Sequence, residues 1–395
     1  MNFTVNLNEL QEAVNKTLPA IPPKSTLPVL EHLKFELSNN ILEIVSTDQE
    51  ITIKTEVQVE DATDGKILVP GRKLNDILKA LGKTEKILFK TDESNFEIDI
   101  ETSFGTYKMK GLSNNEYIEL PELFEVNNDV ENKPVDEIAN IPQSEVIRLA
   151  DKTAFAVSND DFRPAMTGVL FQFRNNYLNA VSTDSYRLVK ATYNTEAGQL
   201  PDELDIIMPS RTMDLLKKAD SDVEFSFIKN NDKVTHVRFK IGKTVYISRI
   251  IDERFPPYES VIPTSNSITL TVNKSQLQSA IKRVAIFASD ITKQLKVNIS
   301  GTEMKLTAQD IDSGTKADEN ISCKLEGNDV EIGFNYKFLD EAIGHLNSND
   351  DDEVVFTLSE SNKPALIMPE RDSKELLMLI MPVRLNSWDN NHKKL

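Results

Sequence analysis

A hydroxyl beside a carboxylate recurs along this chain. Val45-Ser46-Thr47-Asp48 returns as Val181-Ser182-Thr183-Asp184, and a fainter third copy ends at Thr307-Ala308-Gln309-Asp310. A threonine next to a carboxylate is one way to pair a nucleophile with its base, so these are the first candidates for catalysis. A structural reading competes and is favoured: an Asp directly after a strand commonly accepts backbone N–H bonds in a turn, and a repeated turn needs a repeated turn residue. No other constellation stands out, since the sequence holds no Gly-rich phosphate loop, no HExxH pair and no metal-spaced Cys/His cluster. His32, His236, His345 and His392 sit in unrelated contexts and read as surface or satisfied structural groups. The single cysteine, Cys323, cannot form an intramolecular disulfide and reads as a small residue in a strand. Neither a metal nor a cofactor is expected.

The elements that carry these motifs repeat with them. Asp48 and Asp184 each lie 20 residues after a proline, Pro28 or Pro164, that opens a similar apolar run. Downstream of each Asp a strand runs into a helix: LVPGRKLNDILKAL from Leu68, IMPSRTMDLLKKA from Ile207 and IGFNYKFLDEAIGHL from Ile332. The unit is roughly 130 residues, far beyond a solenoid period, so each copy is long enough to bury its own core. Each copy reads helix, strands, helix, strands. In the first, Leu10, Ala13 and Val14 mark a helix, and Val29–Leu37, Leu42–Ser46 and Thr52–Val59 alternate with period two around an Asn39-Asn40 turn. The fold class is α+β, three repeated domains with two helices each on antiparallel sheets. The expected division is 1–126, an acidic Pro- and Asn-rich linker at 127–142, 143–263, 264–385 and a polar tail at 386–395.

Composition describes a globular protein, with 39% apolar residues and no run of 18 apolar residues in 395. The first residues lack the charged and apolar regions of a signal peptide, which points to a cytoplasmic protein without a membrane partner. A net charge of −18 argues by itself against nucleic acid, because binding phosphate needs clustered Lys and Arg. The distribution argues the other way: the six segments that read as helices carry +6 together and leave −24 on the rest. If the helices share one surface, that surface is basic on an acidic protein.

The motifs now in hand resemble the bacterial sliding-clamp family, the beta subunits of DNA polymerase III. Thr26-Leu27-Pro28-Val29-Leu30, Ser46-Thr47-Asp48, Gly168-Val169-Leu170-Phe171, Thr183-Asp184-Ser185-Tyr186-Arg187-Leu188, Arg254-Phe255-Pro256 and Met381-Pro382-Val383-Arg384-Leu385 occur in the family's order and spacing, across residues 1–385. The resemblance implies repeated DNA-clamp domains in a ring-shaped, head-to-tail homodimer that encircles duplex DNA and has no catalytic site. A closed ring is held by topology, so its basic lining needs only weak, sequence-blind phosphate contacts. Lys24, where the family carries a basic residue, with Arg72, Lys73, Lys79, Arg148, Lys152, Arg211, Lys217, Lys218, Lys274, Lys282 and Arg283 from the helix reading, is the expected lining.

The resemblance also implies a dimer joint at Tyr107 and Met109 against Ile286 and Phe287. It implies a pocket between the second and third domains that accepts short peptide motifs from the replicative polymerase, the clamp loader and repair proteins. Its wall maps to Met166, Thr183, Ser185, Tyr186, Arg187, Leu188, Pro256, Val261, Ala365, Leu379, Met381, Pro382, Val383, Arg384 and Leu385, with the Arg-Leu pair expected to face an open groove. Methionine and aliphatic walls suit several partners. Three departures bear on partner specificity: Ser260 stands where some members carry a basic residue, Ser185-Tyr186 replaces a commoner Gly-His pair, and a tail containing Trp388 follows Leu385 and could compete with peptide. Two other readings remain: a peptide-binding scaffold that has lost DNA encirclement, and an enzyme using the Thr-Asp turns.

Overall fold

The computed structural model describes residues 1–82, 86–92, 94–119, 135–230, 233–346, 353–369 and 375–385. The tail with Trp388 and residues 127–134 of the expected linker lie outside the described residues. Six α-helices stand among those described: α1 Leu7–Thr17, α2 Gly71–Leu81, α3 Gln143–Ala154, α4 Ser210–Leu216, α5 Lys274–Ala285 and α6 Tyr336–Gly344. Their starts have local causes. Asn6, Asn273 and Asn335 accept the backbone N–H of Asn8, Gln276 and Lys337 and so cap α1, α5 and α6. α2 and α4 instead follow Pro70 and Pro209 and have no side-chain cap. Gly82, at φ 65°, ends α2 in a backbone conformation that a side chain would resist.

The chain divides into two compact units, residues 1–146 with 218–250 and residues 147–217 with 251–395. In the first unit, strands Glu60–Thr63, Asn2–Asn6, Lys86–Asp92, Glu97–Thr102 and Gly105–Lys110 form a five-stranded sheet in that order. An eight-stranded sheet runs Val135–Ile141, Val223–Asn230, Lys233–Ile241, Thr244–Arg249, Ile51–Gln58, Ile41–Thr47, His32–Ser38 and Gly65–Pro70. Buried Leu7, Leu10 and Val14 of α1 and Leu74 and Leu78 of α2 pack with Phe3, Phe35 and Phe89, whose rings lie 4.9 and 5.7 Å from one to the next. Each of these side chains stabilises the unit by about 1.5–3 kcal/mol through burial.

In the second unit, one twelve-stranded sheet runs from Glu203–Pro209 through Gly168–Arg174, Tyr177–Thr183, Arg187–Asn194, Leu376–Ile380, Ala365–Pro369, Glu353–Leu358 and Ile268–Asn273. It continues through Thr315–Glu326, Glu303–Asp310 and Gln294–Ser300 to Val330–Asn335.

Several expectations need correction. Residues 127–142 are not all linker: Val135–Ile141 is a strand, paired with Val223–Asn230. A register shift between Val135 and Ile138 breaks the alternation, and Ile138 is exposed while Ala139 and Ile141 are buried, so this acidic stretch gives little periodicity to read. Pro28–Glu31 forms a 3-10 turn ahead of the strand that begins at His32, as Pro164–Met166 does ahead of Gly168. α4 ends at Leu216, so Lys217 and Lys218 follow the helix.

The repeated motif has one physical job in the first two copies. Ser46 Oγ donates to the carbonyl of Thr17, the last residue of α1, at 2.6 Å, and Ser182 Oγ donates to Thr153, near the end of α3, at 2.7 Å. Both serines are fully buried, and each satisfies a helix-end carbonyl that has no partner in its own helix. In the third copy Ala308 has no hydroxyl to give, which is why that copy reads as faint. Replacing Ser46 or Ser182 by Ala removes one buried hydrogen bond and should cost about 0.5–1.5 kcal/mol, read as a lowered urea midpoint; Ser38→Ala, at an exposed strand end, should change it little.

Candidate functional site

The Thr-Asp turns are structural. Asp48 Oδ1 accepts the N–H groups of Glu50 and Ile51 at 3.1 and 2.8 Å, and Asp184 Oδ1 those of Tyr186 and Arg187 at 2.9 and 3.0 Å. Both threonine hydroxyls are buried and accept the N–H two residues on, from Gln49 and from Ser185, each at 3.1 Å. Gln49 and Ser185 take φ near 76° and 77° to close the turn. Glycine would fit Ser185's position without strain, but the serine hydroxyl accepts from Arg163 Nη1 at 2.8 Å and donates to Met166 Sδ at 3.4 Å. One of the family departures thus ties the turn to the segment carrying Met166.

Strand Arg187–Asn194 brings the expected pocket residues together. It pairs with Leu376–Ile380 so that Arg187 faces Ile380 and Leu188 faces Leu379, and Met381 N–H extends the ladder to the Tyr186 carbonyl at 2.8 Å. Ala365 pairs with Ile380 on the next strand. Leu188 and Leu379 join Leu170, Val181, Ile207, Tyr258 and Leu366 in one buried cluster, with Phe255 and Ile262 against it. Tyr186, Val261 and Met381, next in sequence or near to members of this cluster, remain 62%, 50% and 38% exposed, so apolar surface faces solvent here. Thr183 is buried in its turn, while Met166 and Pro256 are half-buried. Val383, Arg384 and Leu385 are held elsewhere: Val383 bonds the backbone of Gly333 at 2.9 Å, Gln294 donates to the Arg384 carbonyl at 2.7 Å, and Leu385 occupies space that a β-carbon on Gly333 would need. Pro382, half-buried, lies between the two groups.

Arg187 is not an open wall. Its side chain is 9% exposed; Nε reaches Asp184 at 3.0 Å, Nη2 reaches the Phe155 carbonyl at 2.8 Å and Nη1 pairs with Glu341 of α6. The guanidinium carbon lies 4.6 Å from the Phe338 ring centroid and 5.2 Å from that of Phe155, and Tyr186 stacks on Phe338 at 6.2 Å. A planar cation can stack and fork at once, which suits arginine and not lysine. Asp184 was legible as a neighbour three residues back; Phe155, Phe338 and Glu341 were not, because only tertiary packing brings them in.

The proposed phosphate contacts divide similarly. Lys24, Lys73, Lys79, Lys218 and Lys282 are exposed, as are Arg72 and Arg211. Arg72 donates to the Ile21 carbonyl, half-buried Arg148 donates to Thr192, half-buried Lys217 lies 3.9 Å from Asp214, and Arg283 is forked onto Glu319. Lys152 and Lys274 depart from expectation, each being 7% exposed. Lys274 Nζ is anchored to the Leu346 carbonyl at 2.6 Å, and burial, with Lys274 and Arg148 nearby, pulls the Lys152 pKa below its ordinary value against the pull of Asp151. Helical spacing could not separate these lysines from exposed ones, since the long stem lets a lysine sit on either kind of face. Of the joint residues, Ile286, Phe287 and Tyr107 are 78%, 38% and 36% exposed, whereas Met109 belongs to the core of the first unit.

Comparison with known proteins identifies the family and the fold. Models of the N-terminal, central and C-terminal domains of the DNA polymerase III beta subunit match residues 1–121, 140–257 and 259–384. The beta sliding clamp of Pseudomonas putida is 28% identical over 388 residues, covering 98% of this chain and all of the relative, and that of Staphylococcus epidermidis is 28% identical over 401 residues, covering 97% and 99%. The crystal structure of a Pseudomonas aeruginosa sliding clamp bound to griselimycin superposes with a TM-score of 0.87 at 27% identity, covering 98% of this chain and all of that one. The chain belongs to the DNA polymerase III beta subunit family, with three α+β clamp domains. No helix among the described residues is long and apolar enough to cross a membrane.

Two measurements check the charge assignments. Arg187→Ala leaves Asp184 and Glu341 without their cation and should lower stability by about 3 kcal/mol in chemical denaturation, whereas Arg283→Ala, which breaks an exposed pair, should leave the denaturation midpoint nearly unchanged. His345 stacks on Phe155 at 4.0 Å with Nδ1 3.5 Å from Asp151, and burial outweighs that carboxylate to hold its pKa below the ordinary 6.5. The unfolded state therefore binds the proton more readily, and the stability that neutral His345 contributes is present above pH 6.5 and lost as pH falls below it. His345→Gln should flatten the decline in thermal midpoint between about pH 7 and about pH 5.

Proposed function

We propose that this protein is a DNA sliding clamp, a processivity factor and not a catalyst, in which two copies close head to tail around duplex DNA and tether a polymerase. What carries the reading is the match of all three beta subunit domains, in order, over nearly the whole chain. The exposed cations Lys24, Arg72, Lys73, Lys79, Arg211, Lys218 and Lys282 are the proposed phosphate contacts, with Arg148, Lys217 and Arg283 contributing charge from partly engaged positions. Enclosure supplies retention, so these contacts can stay weak enough for sliding.

The joint is assigned to the outer edge of strand Gly105–Lys110, with Tyr107 and Lys108 exposed, against Ile286 and Phe287 after α5. An edge strand and exposed apolar groups at a helix end are features that association would cover. The peptide site is the surface of Tyr186, Val261 and Met381 over the Leu188 and Leu379 floor, for short motifs of the polymerase, the clamp loader and repair proteins.

Loading onto nicked circular plasmid with a clamp loader, followed by linearisation, tests the reading directly. The protein should remain on the circle through gel filtration and leave once ends are made; equal loss from both forms would favour a scaffold without encirclement. A double Ile286→Asp, Phe287→Asp variant should sediment as a monomer and lose retention on the circle. Lys73→Ala with Lys79→Ala should weaken DNA association and reduce its log–log salt slope by about 0.9 per phosphate contact removed.

A further inference from the structure

The first unit contains a cleft of ≈ 470 Å³ that none of the assigned sites uses. It opens where α1 and strand Ile51–Gln58 meet residues 220–221 and 242–244. Its floor is buried, with Thr55 Oγ1 bonded to Thr244 Oγ1 at 3.0 Å beside Ala13 and Val57. Its rim carries four carboxylates, Glu9, Glu12, Glu56 and Asp220, against two ammonium groups, Lys16 and Lys243. Lys16 is already taken, 2.7 Å from Asp220 and 3.0 Å from Glu12. Glu9 and Glu56 are exposed and have no cationic partner among the described residues.

The backbone in this cleft is also incomplete. Strand Ile51–Gln58 pairs along its whole length with Ile41–Thr47 and the preceding turn, but its other edge pairs with Thr244–Arg249 only from Ile51 to Lys54. The alternation that turns the carbonyl of Glu50 toward the N–H of Arg249 turns Glu56 and Gln58 the same way, beyond the last paired residue. Their amides and carbonyls form a short free strand edge inside the cleft. Free edges of this kind accept an added strand, whose side chains then alternate between the two faces. Here those faces differ in what they offer: α1, with Glu9 and Glu12, packs on the side of buried Thr55 and Val57, while Glu56 and Gln58 point the opposite way.

We propose that this cleft receives a short extended peptide segment with adjacent lysine or arginine residues, which adds as a strand to the Glu56–Gln58 edge and turns its cations alternately toward Glu9 and Glu56. The cleft shares no residue with the Tyr186, Val261 and Met381 surface, so a basic segment of a partner would be read by different side chains from those that read an apolar one.

The test uses the full-length protein and a fluorescein-labelled acetyl-Val-Lys-Lys-Val-Lys amide in fluorescence anisotropy. Because the whole chain is acidic, attraction alone must be separated from strand addition. Two backbone N-methylated versions of the peptide, methylated at one or the other set of alternate amides, do this: one should lose roughly tenfold in affinity and the other little. Glu9→Lys and Glu56→Lys should each weaken binding by a similar factor, and Glu360→Lys, an exposed reversal in the other unit, should leave it nearly unchanged. Equal binding by both methylated peptides, or equal loss from all three charge reversals, would show only diffuse attraction to an acidic surface and overturn the proposal. Lack of detectable binding by the unmodified peptide at millimolar concentration would do the same.

Discussion

Backbone pairing across the sequence repeats is the constraint on which this structure depends. Strand Arg187–Asn194, from the second repeat, would be left with an open edge if each repeat closed on itself; it is completed by Leu376–Ile380 from the third. Thr244–Arg249, also from the second repeat, is likewise completed by Ile51–Lys54 of the first. Unpaired edges invite uncontrolled association, and continuing the ladder removes them while satisfying backbone groups that burial would otherwise leave without partners. The consequence is that the compact units cut through the second repeat, although the sequence repeats there without interruption.

The same pairing builds the apolar surface assigned to peptide. Because Leu188 faces Leu379 across the ladder, the floor draws on two repeats and neither can form it alone. Arg187 then reinforces the joint from above, held by Asp184 of its own turn and by Glu341 of α6, with Phe338 and Phe155 against its plane. A buried cation of this kind contributes less net stability than its contacts suggest, since desolvation offsets the attraction; what it supplies is a fixed arrangement of turn, helix and strand. Tyr186, the next residue back, is positioned by stacking on one of the same rings.

Much of this was legible from residue order. The helices followed apolar spacing, and the turns followed Asp48 and Asp184, whose carboxylates need only nearby backbone to act. The faintness of the third motif was visible in the loss of a serine, but its reason lay in the helix-end carbonyls that Ser46 and Ser182 satisfy across 29 residues. Strand Val135–Ile141 escaped because its partner, Val223–Asn230, is remote in sequence and its own composition is that of a linker. Lys152 and Lys274 looked like Lys73 and Lys79, because helical periodicity says which residues share a face and not what covers that face.

By itself, then, the amino-acid order determined the repeat, the α+β class, the local turns and the family, all of which rest on short-range periodicity and on motifs a few residues long. Tertiary structure alone decided which strand edges were completed and which stayed free, which cations were buried, and that Arg187 would be locked instead of exposed. Those outcomes depend on groups far apart in the chain meeting at hydrogen-bond distance, and no local pattern encodes which distant carbonyl, ring or carboxylate will be there.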